Sequence, residues 1–164
     1  MLVAIAGLMG SGKTSISKRL EKVGYITLHR DEFITFMFDP VEYSSREQKN
    51  IAEQAMLSIA EYYLKQNRNV LLDMQFSYKK HVDAAQLVAE KTSSKFKLLY
   101  CKCPDEVAIE RIQSEKHVAT DRTREVYFEQ KSRFEQFQIP YKIVNTDRSL
   151  DETIKACILY LEED

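Results

Sequence analysis

Cysteine, proline and glycine are scarce in this chain: three cysteines, three prolines and four glycines among 164 residues. Cys101, Cys103 and Cys157 are odd in number and lack paired spacing, which argues against a disulfide framework. No histidine or second cysteine pair is spaced to complete a tetrahedral metal site around Cys101 and Cys103. Two thiols one residue apart on a strand point the same way, so core packing is the reading for that pair. With so few glycines and prolines, breaks between elements have to be read from changes of hydrophobic period and from helix caps. Net charge is missing too. The 24 Lys and Arg residues against 25 Asp and Glu leave −1, so there is no global field to hold a polyanion, although a local basic cleft stays open to the fold. No apolar run reaches membrane length and no signal-peptide pattern precedes the first strand-like segment, so the expectation is a cytoplasmic protein with no membrane partner. Repeats, low-complexity tracts and linkers are likewise absent, and 44% hydrophobic residues supply one ordinary core, so residues 1–164 are expected to form a single domain.

What is present alternates. Short apolar runs at Leu2 to Ala6, Tyr25 to Leu28, Val70 to Leu72, Phe96 to Cys101 and Tyr141 to Val144 have the length of strands. Helical patterns lie between them. Ser44 with Glu47 reads as a capping box, followed by Ile51, Ala55 and Ile59 as a buried stripe on a helix ending near Asn67. Pro104, Asp105 and Glu106 suit a first turn, with Val107, Ala108, Ile109 and Ile112 as its apolar face. Ser149 with Glu152 repeats the capping box ahead of Ile154, Cys157, Ile158 and Leu161. Strands alternating with helices this long pair in parallel through crossovers, which implies an α/β sheet with helices on both faces.

Three of the four glycines fall in one loop. Gly7-Leu8-Met9-Gly10-Ser11-Gly12-Lys13-Thr14 satisfies G-x-x-x-x-G-K-[ST] and stands between a strand and the helix carrying Ile16 and Leu20, the context that motif requires. Glycines let the backbone curl so that its N–H groups face a β-phosphate, and the helix N-terminus adds partial positive charge. Lys13 supplies a cation for the β- and γ-oxygens, Thr14 a hydroxyl for Mg²⁺, and Ser11 lines the loop. The expected nucleotide-contacting set is Gly7, Met9, Gly10, Ser11, Gly12, Lys13, Thr14 and Ser15, joined by Arg111. A guanine-specific switch would need D-x-x-G after a strand and N-K-x-D. Here Asp73-Met-Gln-Phe lacks the glycine and Asn145-Thr146-Asp147 lacks the lysine spacing.

The second strand runs into "RDEF", which delivers Asp31 toward the phosphate loop, since ligands of open α/β sheets sit beyond the carboxyl ends of the strands. A carboxylate there can accept the proton of an acceptor hydroxyl; Asp31 also suits an N-cap for Glu32 to Met37. Asp73 ends the strand "NVLLD" and, with Thr14, is the candidate metal ligand. Charge spreading over a moving phosphoryl group calls for cations; Arg111 lies on the Pro104 helix, and Arg122 and Arg124 lie in the polar stretch "SEKHVATDRTRE" that follows, read as a short lid near residues 116–125. The segment Phe33 to Tyr43 reads as core before pocket.

The chain resembles the small P-loop kinases of the polynucleotide 5′-kinase-like and AAA-33-type group. The likeness rests on "GLMGSGKTSISKRL", "HRDEF", "VLLDMQFSYKKHVDAAQLV", "CPDEVAIERI" and "ATDRTREVYFEQKSRFE", and runs nearly full length. It implies a three-layer P-loop NTPase fold with a five-stranded parallel sheet in the order 2-3-1-4-5. It also implies Asp31 as general base, Lys13 and Thr14 at the phosphates and Mg²⁺, and Arg111 stabilising the transferred phosphoryl. The chain departs from the polynucleotide kinases in having Ile34 where they carry an arginine for the acceptor's phosphate. Nucleic acid is therefore not favoured as acceptor; Arg30, Arg46 or Lys49 are the residues that could replace that arginine. The expected activity is transfer of the ATP γ-phosphate to an alcohol: a nucleoside, nucleotide, nucleic-acid 5′ end or small metabolite. Two alternatives stand beside it, an ATP-binding switch or assembly ATPase without an acceptor, and a toxin-type kinase of nucleotide sugars.

Overall fold

Strand and helix alternate from the first residues onward. The computed structural model describes residues 1–114 and 122–163. In chain order the elements are β1 (Leu2–Ala6), α1 (Lys13–Glu21), β2 (Ile26–His29), α2 (Arg30–Met37), α3 (Arg46–Leu64) and β3 (Val70–Asp73). They continue with α4 (Lys79–Lys91), β4 (Phe96–Lys102), α5 (Asp105–Ser114), α6 (Arg124–Ser132), β5 (Lys142–Asn145) and α7 (Leu150–Glu162). All five strands are parallel, in the order β2-β3-β1-β4-β5. This is the expected three-layer α/β P-loop fold. Of the expected lid, residues 116–121 lie outside the described residues.

β1 shows why the sheet is central. Every residue of it is buried, and successive side chains go to opposite faces. Leu2, Ala4 and Ala6 join Met56, Ala60 and Leu64 of α3 and Val82, Ala85 and Val88 of α4. Val3 and Ile5 join Ile16 and Leu20 of α1 and Ile154, Cys157 and Leu161 of α7, with Cys101 in the same layer. A third cluster of Met9, Ala108, Ile109, Ile112 and Tyr127 packs the phosphate loop against α5 and α6. From that cluster Tyr127 also donates to Asp105 Oδ1 at 2.8 Å, and Lys131 reaches Asp105 Oδ2, so α6 is pinned to the first turn of α5.

Two sequence expectations shift by one residue. Ser45, not Ser44, caps α3, accepting from the Gln48 backbone at 3.3 Å. The run "SSREQ" satisfies the capping pattern in both registers. Gln48 decides between them, because its amide accepts from Glu42 N at 2.9 Å and donates to Pro40 O at 3.0 Å, fixing the turn into the helix. The buried stripe of α3 is Ala52, Met56 and Ala60; Ile51 is exposed and Ile59 half-buried. One residue is a rotation of about 100° on a helix, and the rotation seen here also buries Glu53, whose carboxylate meets His81 Nδ1 of α4 at 2.6 Å. A face that must hold a buried carboxylate against a neighbouring imidazole cannot be identified from apolar residues alone.

Candidate active site

The carboxyl ends of β1, β2 and β3 finish level: Ile5 pairs with Asp73, and Asp73 with His29. The phosphate loop leaves β1 there, and α2 leaves β2 there. A cavity of about 690 Å³ opens above them and is lined from one end of the sheet to the other. At the β2 side its wall is Arg30, Asp31, Glu32, Tyr43 and Lys49. At the β5 side it is Arg111, Thr146, Arg148, Leu150 and Thr153, with the loop and Asp73 between.

The loop's shape follows from two glycines. Gly7 has φ +145°, and a Cβ on it would lie 2.5 Å from Ser11 Oγ and 2.6 Å from Cys101 O. Gly10 has φ +71°, and a Cβ would lie 2.3 Å from Ala108 O of α5. Any side chain at either position would drive the loop off the sheet or off α5. Gly12 occupies the N-cap of α1 with no side-chain cap, so the first N–H groups of that helix face the loop without an internal acceptor. Ser11 Oγ is buried and has no hydrogen-bond partner, an orphaned donor inside a ring of backbone amides. Both features suit an oxyanion.

Lys13 donates to Leu8 O at 2.8 Å, arching across its own loop. Burial lowers its pKa, opposed chiefly by the charge of Asp73 and also by Asp31. Asp73 is 7% exposed and accepts at Oδ2 from Ser17 Oγ at 2.7 Å and from His29 Nδ1 at 2.9 Å. Burial alone would raise its pKa, but the His29 hydrogen bond, the Lys13 charge and the Ser17 hydroxyl outweigh that and hold the carboxyl below the usual range. His29 is pushed down by burial and up by Asp73, and the second effect wins. Thr14 and Ser15 are exposed to the same cavity. A hydroxyl on Thr14 and a carboxylate held ionised on Asp73 form an all-oxygen donor set, which fits a hard divalent cation such as Mg²⁺.

Asp31 does not cap α2. His29 holds the N-cap position, without a side-chain bond, and Asp31 lies in the first turn, lining the cavity with its side chain 34% exposed. Arg111 also reaches the cavity, but its guanidinium is engaged: it donates to Gly10 O at 3.3 Å, to Thr146 Oγ1 at 3.2 Å and to Thr146 O at 2.9 Å. Thr146 Oγ1 in turn donates to Ser11 O at 2.9 Å. Arg111 and Thr146 therefore brace the loop from the β5 side. Arg122 lines the cavity from the segment before α6. Arg124 does not: it is exposed on α6, with its guanidinium 5.4 Å from the Phe128 ring centroid. The chain turns away at the α6 N-cap, Thr123, which accepts from Val126 N.

Several site residues were not singled out from the sequence. His29 and Ser17 support Asp73, Thr146 braces the loop, and Gln75 after β3 donates to Gln130 of α6 across the cavity. The strand order 2-3-1-4-5 carried a signal for one of them, because it makes the last residues of β2 and β3 neighbours. For Ser17, Thr146 and Gln130 only the folded register brings the partners together.

The order of the sheet, the glycine-bound loop and the carboxylates at the strand ends define a P-loop nucleotide-binding α/β protein of kinase-like architecture. The AAA_33 family, described as an AAA domain, matches residues 2–137, and the chain belongs to that family. No curated protein matches its sequence. Among solved structures it is similar to a candidate kinase from Chloroflexus aurantiacus J-10-fl, with TM-score 0.78, 19% identity and 98% of each chain covered. It is also similar to the Mycobacterium tuberculosis APS kinase in complex with AMPPNP and APS, with TM-score 0.72, 21% identity and coverage of 99% of this chain and 97% of that one. A sugar kinase from Janibacter sp. HTCC2649 gives TM-score 0.73 at 14% identity, covering 98% of this chain and 94% of that one. At these identities the likeness is one of fold.

Proposed function

We propose that the protein is a cytoplasmic, ATP- and Mg²⁺-dependent phosphotransferase that moves the γ-phosphoryl of ATP to a hydroxyl of a second substrate. The observation that carries this reading is that Asp31 and Lys13 line one cavity, near enough that the Asp31 charge acts on the Lys13 ammonium. A nucleotide switch has no need of a second carboxylate beside its loop, in addition to the candidate metal ligand Asp73. The APS kinase of similar fold, solved with AMPPNP and APS together, supports a two-substrate cavity.

In this mechanism the amides of Gly12, Lys13 and Thr14 at the N-terminus of α1 hold the β-phosphate, while those of Gly7 and Ser11 stay bonded to Gln75 O and Leu8 O, and Lys13 exchanges Leu8 O for β- and γ-oxygens. Arg111 and Thr146 keep the loop in shape, and Arg148 and Leu150 border the nucleoside end. Thr14 and Asp73 would hold Mg²⁺, which would supply positive charge to offset that of the phosphates. Asp31 takes the acceptor's hydroxyl proton as that oxygen bonds to the γ-phosphorus and the bond to the β–γ bridging oxygen breaks, leaving ADP and the phosphorylated acceptor. Arg122 would lie beside the moving group. Arg124 would act there only if α6 unwound by a turn.

The test is transfer of label from γ-labelled ATP to a panel of 5′-hydroxyl oligonucleotides, nucleosides, nucleotides, sugars and aminoglycoside-like alcohols. Label on one acceptor class supports the reading. ATP hydrolysis with no label on any hydroxyl would instead favour a switch.

A further inference from the structure

We infer that Ser17 and His29 are positioning residues for the divalent cation: they take up Oδ2 of Asp73, leave Oδ1 as the one oxygen it can offer, and so favour Mg²⁺ over Ca²⁺. The inference rests on the phosphotransfer reading, with Thr14 and Asp73 as its candidate cation donors, and names what sets their selectivity.

The geometry around Asp73 carries the argument. A carboxylate has two oxygens with two lone-pair sites each, and it only accepts. Both hydrogen bonds to Asp73 fall on the same oxygen: Ser17 Oγ is 2.7 Å and His29 Nδ1 2.9 Å from Oδ2. Each partner must be the donor, so His29 carries a hydrogen on Nδ1. With both sites of Oδ2 filled, Asp73 has Oδ1 alone to offer to the cavity it lines, and none of the described residues is hydrogen-bonded to Oδ1.

The clamp comes from two directions. Ser17 is a fully buried residue of α1, three positions past Thr14, so the two hydroxyls share one face of the helix. Its Oγ also lies 3.1 Å from Thr14 O, but a hydroxyl has one hydrogen, and the shorter contact to a charged oxygen takes it. His29 is the last residue of β2 and pairs in register with Asp73 at the end of β3. Turning the carboxylate would break one bond to a helix and one to a strand inside a buried site, where unmet donors are costly.

Glu53 is a useful contrast. His81 Nδ1 lies 2.7 Å from one of its oxygens and 2.6 Å from the other, so a single partner spans the whole carboxylate and sets neither oxygen apart. At Asp73 two partners share one oxygen, which does set the other apart. Cations differ in what they draw from such a group. Ca²⁺ takes roughly six to eight oxygens in a flexible shell, including both oxygens of one carboxylate, whereas Mg²⁺ is smaller, demands a near-ideal octahedron and keeps several waters. A carboxylate locked to one oxygen suits Mg²⁺ and denies Ca²⁺ a ligand.

The experiment uses the chain in excess over AMPPNP, so that free nucleotide does not compete for metal, and titrates Mg²⁺ and Ca²⁺ separately by calorimetry, with folding checked by thermal unfolding. The parent complex should bind Mg²⁺ more tightly than Ca²⁺. In Ser17→Ala and in His29→Leu, Mg²⁺ affinity should fall about tenfold or more, the usual effect of removing an outer partner of a metal ligand. Ca²⁺ affinity should fall less, so that the ratio between the two narrows. If His29→Leu does not fold, Ser17→Ala, which removes a single oxygen, carries the test. An unchanged Mg²⁺ affinity, an equal fall for both cations, or a parent that binds Ca²⁺ as tightly as Mg²⁺ overturns the inference and leaves the kinase reading standing. A parent that binds AMPPNP but neither cation overturns the Thr14 and Asp73 donor set, and this inference with it. Failure of AMPPNP itself to bind overturns the nucleotide reading as well.

Discussion

Between Gly7 and Thr14 the backbone is held from every side, whereas the wall across the cavity is held at few points. Cys101 closes on Gly7, Ala108 on Gly10, and Arg111 with Thr146 ties Gly10 and Ser11 to the β5 side. α2, by contrast, buries one side chain of its eight, Ile34; Phe36 is 90% exposed, and Met37 and Val41 are open to solvent. Its links onward to α3 include a Thr35–Tyr43 hydroxyl pair at 2.7 Å and the Gln48 bonds to Pro40 and Glu42. The difference matches the two tasks. A triphosphate is always the same shape and rewards a rigid cradle. An acceptor differs from one relative to the next, and elements with few buried contacts are the ones that change and move at low cost.

Substitutions in the two halves should therefore fail differently. Lys13→Ala removes the cation of the rigid half, and phosphoryl transfer should drop by ~10³-fold or more, with weakened nucleotide binding, in a label-transfer assay and a nucleotide titration. Gly10→Ala sets a Cβ against the α5 backbone at a positive φ; a loss of roughly 2–4 kcal/mol is expected in denaturant unfolding, together with loss of nucleotide binding. If it is tolerated, the loop is not braced as described. On the flexible side, Thr35→Val breaks two exposed hydroxyl bonds, to Tyr43 and to Asp31 O, and stability should change by about 1 kcal/mol. Its signature is a raised acceptor KM at unchanged nucleotide affinity; a change in nucleotide affinity would mean that the two halves are mechanically coupled.

How much of this was legible beforehand follows the same division. The loop motif, the five strands and Asp31 and Asp73 at or just after strand ends could be read because each rests on local pattern or on a strand's carboxyl end; the strand order rests on the family resemblance alone. The capping register at Ser45 and the Ala52–Met56–Ala60 face could not, because "SSREQ" and the apolar residues of α3 fit two neighbouring registers and distant partners, Glu42 and His81, choose between them. Arg122 and Arg124 looked equivalent in the sequence. They are separated by the helix cap at Thr123, which leaves the first at the cavity and the second on the α6 surface. The support of Asp73 by His29 and Ser17 depends on three elements, β3, β2 and α1, meeting.

The central claim, that Asp31 is the base facing the phosphate loop, is tested most directly by comparing Asp31→Asn with the parent chain in acceptor phosphorylation and in ATP affinity. The account predicts transfer lowered by at least ~10²-fold with ATP affinity nearly intact; transfer retained in full would contradict it.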